Sequence, residues 1–157
     1  MDERFMKEAI KCAKRALKYS EMPIGAVIVR NGEVIASGYN KREIKQNALL
    51  HAEMVAIDRA CKKLGGWRLS DCDMYVTLEP CPMCAGAAIN ARLKNVYFGA
   101  YDYQSGCAKS ALDLFSMNLL SHTVNCEGGI MEEECRTLIK DFFKEIRKRP
   151  GRLKNEV

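Results

Sequence analysis

The stretch MYVTLEPCPMCAGAAIN, residues 74–90, predicts a buried strand that runs directly into a helix carrying two cysteines. Its first five residues are rich in strand formers, whereas the small residues after Cys84 favour a closely packed helix. Pro80 and Pro82 suit the start of that helix, because a proline in the first turn loses no hydrogen bond. We therefore expect Cys81 at the helix N-terminus, where the helix dipole favours a thiolate.

Apolar residues recur at helical spacing from 52 to 64, so we expect a second helix to begin at His51. His51, Cys81 and Cys84 make three zinc ligands and leave the fourth tetrahedral position open. An open position is typical of catalytic zinc, and Glu53 is the nearby base that an activated water needs. Ideal helix geometry places Glu53 about two hundred degrees around the axis from His51, so it is not expected to be a ligand.

Each half of this pattern has a simpler interpretation. A lone C-x-x-C is often half of a structural zinc site or a redox pair, and a lone H-x-E on a helix is usually surface chemistry. A structural zinc site normally has a fourth Cys or His, but the other histidine, His122, has no partner at ligand spacing. The two halves in this order, with Pro80 directly before Cys81, favour the catalytic interpretation.

The predicted elements follow one another as α-β-β-α-β-α-β-β-α, with a further short helical piece near 110–115. A hairpin is predicted at Asn31-Gly32, a fifth strand at 123–126 and a last helix at about 131–149. This alternation indicates an α/β fold with a mixed sheet covered by helices on both faces, that is, three-layer α/β/α with five strands. We expect the 157 residues to form a single domain.

The eight cysteines do not predict a disulfide framework. Residues 1–5 are charged and lack the apolar segment of a secretory signal, and no apolar stretch is long enough to span a membrane. We therefore expect a cytoplasmic chain with reduced thiols, most of them buried as small hydrophobes. Cys107, in a polar stretch, is the cysteine that we expect to be exposed.

The net charge of +5 lies mostly in the basic C-terminal helix and tail, about 131–157. Seven basic and three acidic residues fall between 140 and 157, so that this segment carries +4 and the rest +1. Such a segment suits a polyanionic partner bound through phosphates, but a solvated helix end has the same composition. Phe142-Phe143 beside it favours core packing over a base-stacking surface.

Six segments and Asp102 together resemble the bacterial tRNA-specific adenosine deaminases, within the cytidine and deoxycytidylate deaminase superfamily. The segments cover nearly the whole chain and are MPIGAV (22–27), GYN (38–40), HAE (51–53), YVTLEPCPMCAGA (75–87), FGA (98–100) and DFF (141–143). The resemblance implies a cytidine-deaminase-like fold and a homodimer with one zinc ion (Zn2+) per subunit. It also implies hydrolysis of adenosine to inosine at the wobble position of a tRNA anticodon arm.

The resemblance also implies a role for each matching residue. The metal ligands are His51, Cys81 and Cys84, and Glu53 is the proton shuttle. The residues implied to contact the flipped nucleoside or the anticodon loop are Asn40 by a hydrogen bond, Ile24 and Leu78 in the base pocket, Ala52 through its backbone, and Asp102, Phe143 and Arg147 towards the loop.

Two positions depart from the family, which often has a basic residue after Ala100 and a lysine two places after Asp102. This chain has Tyr101 and Gln104 there, so two positive charges beside the RNA are missing. A deaminase of free bases or nucleosides, acting on guanine or cytosine, remains the alternative, because the same metal motif serves it. A non-catalytic zinc-binding subunit is a third possibility, which the intact Glu53 argues against.

Overall fold

The computed structural model describes residues 2–117 and 119–148. Its helices are α1 (Glu3–Leu17), α2 (Arg42–Lys45), α3 (Ala52–Leu64), α4 (Pro82–Asn90) and α5 (Glu132–Lys148). Its strands are β1 (Gly25–Arg30), β2 (Glu33–Tyr39), β3 (Cys72–Leu78), β4 (Asn95–Ala100) and β5 (Asn125–Glu127). The predicted order of strands and long helices is confirmed, with the short α2 as an addition. Residues 149–157 of the predicted basic tail lie outside the described residues.

The strands form one mixed sheet in the order β2-β1-β3-β4-β5. β1 is antiparallel to β2 and β3, whereas β3, β4 and β5 are parallel to one another. The register pairs Gly25 with Tyr39 and Leu78 with Ala100. The start of β1 and the ends of β2, β3 and β4 therefore share one edge of the sheet, which we call the functional edge because the candidate site residues lie there.

Alternate residues of each central strand face opposite sides of the sheet, as the two-residue period of a strand requires. On one side, Ile28 of β1 and Met74 of β3 pack in a core with α3 and α4. On the other side, Val27 and Tyr75 pack with α1 and α5. The strands are thus buried on both faces, and the three-layer α/β/α prediction is confirmed.

The turn between β1 and β2 is made by Asn31 and Gly32. Both residues have positive φ, 52° and 75° respectively. A two-residue turn of type I′ requires positive φ at both central positions, which Asn and Gly tolerate. The hairpin prediction is confirmed.

A close contact between β2 and α3 holds that helix against the sheet. A Cβ atom built on Gly38 would lie 2.3 Å from the carbonyl oxygen of Ala52 and 2.8 Å from the amide nitrogen of Ala56. Any side chain at position 38 would push α3 away, because packed interiors leave no room for an added carbon. The start of α3, and with it His51, is therefore fixed relative to the functional edge.

The segment after β4 differs from its prediction. The helical piece expected near 110–115 is replaced by two 3-10 turns, Phe115–Met117 and Leu119–Ser121. The carboxylate of Asp113 accepts a hydrogen bond from the amide of Ser116, and Leu120 has a positive φ of 56° that ends helical geometry. The fifth strand is also displaced, to Asn125–Glu127.

Candidate active site

Two helix N-termini meet at the functional edge of the sheet. His51 is the N-cap of α3 and Cys81 is the N-cap of α4, both with extended backbone. Pro82 follows at the first helical position, where proline costs no hydrogen bond. Neither side chain makes a capping hydrogen bond to its own helix, so the imidazole and the thiol can interact with each other.

His51, Cys81 and Cys84 form a compact group of potential metal ligands. Both sulfur atoms lie 3.6 Å from Nδ1 of His51, and the three ligand atoms lie within 4.8 Å of one another. A tetrahedral zinc ion bonds nitrogen at about 2.0–2.1 Å and sulfur at about 2.3 Å, which separates such ligands by about 3.6 Å. The spacing and the donor set therefore fit zinc.

The two thiols of this group differ in acidity. A hydrogen bond from Cys84 lowers the pKa of Cys81 to about 4, and the contact with His51 acts in the same direction. The hydrogen bond to Cys81 raises the pKa of Cys84, and burial adds to the increase. The pKa of His51 is raised chiefly by its hydrogen bond with Cys81. A thiolate at Cys81 is the form that binds a metal.

Glu53 is the second residue of α3 and lies beside this group. Only 3% of it is exposed. Burial raises the pKa of its carboxyl group to about 7. Within residues 2–117 and 119–148, its Oε2 is a buried side-chain oxygen with no hydrogen-bond partner. Buried oxygens are normally paired, so a free one beside a metal-ligand group is suited to a reacting molecule.

Asn40 and Ile24 lie next to each other at the same edge. The amide of Asn40 donates to the carbonyl of Ile24 at 3.1 Å, and the amide of Lys41 donates to Leu50, directly before His51. Ile24 is partly buried against the core, and Ala52 is fully buried at the start of α3. Asn40 and Ile24 are thus in direct contact, and the bond between Lys41 and Leu50 joins their segment to the start of α3, where His51 and Ala52 lie.

The side chain of Asn40 is held by a residue that the sequence prediction did not include. Its Nδ2 donates to Oε2 of Glu21 at 3.2 Å, and the other Glu21 oxygen accepts from the amide of Ile44 at 2.7 Å. Oδ1 of Asn40 accepts from the amide of Arg42. Glu21 is fully buried, and the only signal in the sequence is an acidic residue four positions before the apolar strand β1.

A cleft of about 620 Å³ lies between α5 and the outer loop, which we define as residues 101–117. Three of the residues implied to contact the anticodon loop or the base line this cleft: Leu78, Asp102 and Phe143. Arg147 does not line it but lies one turn further along α5, where its Nε donates to the carbonyl of Phe143. Phe143 is exposed and Phe142 is half-buried, so the pair is not simply core.

Tyr101, one of the two positions that depart from the family, joins neighbouring aromatic rings in the cleft wall. Tyr101 packs edge-on against the buried Phe98 and stacks on Tyr103, with ring centroids 5.0 Å and 6.2 Å apart. Tyr103 is 77% exposed. Positively charged side chains come instead from the opposite wall, where Lys140 and Arg136 of α5 line the cleft and Arg136 is paired with Glu132 one turn before it.

Cys107 is buried, at 4% exposure, so the prediction of an exposed thiol was wrong. Its amide donates to the carbonyl of Pro80 at 2.8 Å, and its thiol donates to the carbonyl of Ser105. Burial raises the pKa of this thiol. The polar sequence around it forms turns that cover the cysteine. All eight cysteines lie within the described residues, and none of them forms a disulfide bond there.

The sequence model of the cytidine and deoxycytidylate deaminase zinc-binding region matches residues 1–100. Over 148 residues the chain is 50% identical to the tRNA-specific adenosine deaminase of Bacillus subtilis (strain 168). The alignment covers 94% of this chain and 92% of that protein. The chain belongs to the tRNA-specific adenosine deaminase family. As a family member it carries a zinc-binding deaminase domain.

Solved structures share the fold of this deaminase family member. One, from a study of A-to-I editing by tRNA:A34 deaminases at the wobble position of transfer RNA, has a TM-score of 0.84 at 39% identity. The match covers 87% of this chain and 99% of that chain. The guanine deaminase of Nitrosomonas europaea has a TM-score of 0.79 at 19% identity and covers 90% and 84% respectively, which shows the fold alone. The cytidine-deaminase-like fold is therefore confirmed. No helix among the described residues is long and apolar enough to cross a membrane.

Proposed function

We propose that this chain is a zinc-dependent hydrolase that converts adenosine to inosine at the wobble position of a tRNA anticodon. The observation that carries the proposal is the group of His51, Cys81 and Cys84 with the unpaired Glu53 oxygen beside it, in a chain of this family. The three ligand residues hold one zinc ion per subunit. A zinc ion held there supplies a Lewis acid that makes water nucleophilic at neutral pH.

Glu53 moves the protons of the reaction. It takes a proton from the attacking water and delivers it to the purine ring nitrogen as the new bond forms at C6. It then takes the remaining proton from the new C6 hydroxyl group and passes it to the amine, which leaves as ammonia as the C6–N bond breaks and the C6 carbonyl forms. Its burial keeps the carboxyl group away from bulk water, so that the proton stays within the site.

The remaining residues bind and orient the nucleoside. Asn40 has its side-chain amide held in one orientation and hydrogen-bonds the nucleoside, while Ile24 and Leu78 form the walls around the base. Ala52 presents a backbone group. The anticodon loop is single-stranded, so little base pairing opposes extraction of the adenosine.

The cleft receives the neighbouring nucleotides of the anticodon loop. Asp102 and Phe143 line it, and Arg147 lies just beyond it. The exposed Tyr103 offers a stacking surface for a base, while Arg136 and Lys140 suit phosphates. This arrangement supports a tRNA anticodon arm as the partner over a small neutral base, which needs no phosphate contacts.

We further propose that residues 1–157 form a single deaminase domain that functions as a homodimer in the cytoplasm. A concave apolar surface between α3 and α4 supports dimerisation, because it includes Met54, Ile57 and the half-exposed Trp67. The eight unpaired cysteines support a reducing compartment. Analytical ultracentrifugation of the purified protein tests the dimer, and a monomer at micromolar concentration would contradict it.

The test of the function is inosine formation by the zinc-loaded protein on an anticodon stem-loop with adenosine at the wobble position. We expect inosine with the native chain and a kcat lower by about a hundredfold to ten-thousandfold with Glu53→Ala, since a positioned proton shuttle contributes that much. Zinc content should stay unchanged in the variant. Release of ammonia from free guanine or cytosine, without inosine in the stem-loop, would overturn the proposed substrate. The proposed metal site would stand.

A further inference from the structure

We propose that Glu79 is a positioning residue that fixes the outer loop onto the strand end from which the Cys81 ligand departs. It sets the shape of the cleft and thereby the affinity for the substrate. The part that concerns substrate rests on the proposed function, whereas the part that concerns the loop does not.

Glu79 gathers the hydrogen-bond donors of the outer loop on one carboxylate. Only 2% of the residue is exposed. The amides of Asp102, Lys109 and Ser110 donate to it at 3.0, 2.7 and 2.8 Å respectively. The amide of Ala108 at 3.2 Å and the hydroxyl group of Ser110 donate as well. Five donors from two stretches of the loop therefore converge on one side chain.

The loop also closes tightly around this carboxylate. A Cβ atom built on Gly106 would lie 2.4 Å from Cδ of Glu79, so that the loop backbone is in direct contact with the side chain. The amide of Gly106 donates to the carbonyl of Asp102, and the amide of Cys107 donates to the carbonyl of Pro80. The outer loop is thus attached at Glu79 and at Pro80, the two residues directly before Cys81.

A carboxylate suits this set of donors better than any neutral side chain of the same shape. Residues 108–110 belong to no strand or helix, so their amide hydrogens depend on an acceptor outside regular structure. A carboxylate accepts at about four lone-pair positions, whereas a glutamine amide accepts at its oxygen alone and presents two hydrogens. Glu79→Gln keeps the shape of the side chain but turns an NH2 group towards donors, which leaves loop amides without an acceptor.

The consequence for function follows from where the attached residues lie. Asp102 is bonded to Glu79 through its amide, and its carboxylate accepts from the amides of Gln104 and Ser105. Together with Tyr103, these residues form one wall of the cleft. Release from Glu79 therefore loosens the cleft wall, whereas His51 and Glu53 belong to α3 and keep their places. Weaker substrate binding, with the chemistry nearly unchanged, distinguishes positioning from a general loss of stability.

The test compares native protein, Glu79→Gln and the matched control Glu33→Gln, whose glutamate is exposed on β2 at the opposite edge of the sheet. Three quantities are measured: zinc per subunit, hydrogen–deuterium exchange of the 102–110 segment, and KM and kcat on the stem-loop. For Glu79→Gln we expect unchanged zinc, exchange faster by about tenfold or more at 102–110, and a KM about tenfold higher with kcat within about threefold. Glu33→Gln should match the native protein.

Unchanged exchange at 102–110 would overturn the proposal, and so would an unchanged KM or a loss of zinc that accounts for the lost activity. If Glu79→Gln does not fold, Ser110→Ala decides, because it removes one of the five donors. It should accelerate exchange near residue 110 and raise KM by a smaller factor, and native behaviour of that variant would overturn the proposal. Exchange needs no substrate, so a native protein that is inactive on the stem-loop would overturn the proposed function and leave the loop attachment to be judged separately.

Discussion

The proposed reaction centre, formed by His51, Glu53, Cys81 and Cys84, and the outer loop are built in different ways. Every residue of the reaction centre sits at or within the first turns of a helix that follows directly from the local sequence. The outer loop consists of turns that are attached chiefly through hydrogen bonds to the buried carboxylate of Glu79. The comparison teaches that the candidate metal ligands are positioned by helix N-termini, which depend on local sequence. The cleft is shaped by hydrogen bonds between residues that are distant in the chain.

The largest effect is expected from breaking the reaction centre. Cys84→Ala removes one of three zinc ligands, so we expect loss of zinc and a fall in turnover by at least about a thousandfold, in line with the several kcal/mol that a metal contributes. Zinc content by mass spectrometry and inosine formation measure it. Cys72→Ala is the control, because that cysteine is equally buried at the far end of β3. Full zinc occupancy in Cys84→Ala would refute the ligand assignment.

An intermediate effect is expected from a change at Glu21, which holds the side chain proposed to contact the nucleoside. Glu21→Gln disturbs the acceptor that holds the Asn40 side chain and the amide of Ile44. We expect kcat/KM to fall by about tenfold to a hundredfold, the range for leaving a buried hydrogen-bonding group unpaired. The variant should keep its zinc, since no ligand contacts Glu21 among the hydrogen bonds of the described residues.

A double-mutant cycle tests whether Glu21 acts through Asn40. In an Asn40→Ala background, Glu21→Gln should add little further loss of kcat/KM, because residues in one hydrogen-bond network are not additive. An equal loss in both backgrounds would show that Glu21 acts independently of Asn40. Such a result would mean that Glu21 supports the fold and does not act by orienting Asn40 towards the substrate.

The smallest effect is expected on the outer surface of α5. Arg147→Gln removes an exposed charge next to the cleft, so tRNA affinity should fall modestly and the slope of log affinity against log salt should decrease by about 1. Lys63→Gln removes the same charge from the exposed end of α3 and is the control. Equal slopes for the native protein and Arg147→Gln would remove Arg147 from the phosphate contacts.

The grouping of His51, Cys81 and Cys84 could be predicted from the sequence because their positions depend on short-range rules. Proline at a helix start and the periodicity after His51 placed the ligands, and the three-layer fold followed from the alternation of elements. Glu21 and Glu79 could not be predicted, because their donors lie 19 to 31 residues away in the chain. Local polarity even gave the wrong answer for Cys107, which the outer loop covers.

The contact between Gly38 and α3 has a consequence for how this enzyme can diverge. His51 and Glu53 move together with α3, while Cys81 and Cys84 move together with α4. A methyl group added at position 38 would therefore shift the first pair of residues as a unit against the second. Gly38 carries no reactive group, yet its size sets the distance between these two pairs of residues. A substitution at position 38 can therefore change the geometry of the site while all four of its residues stay the same.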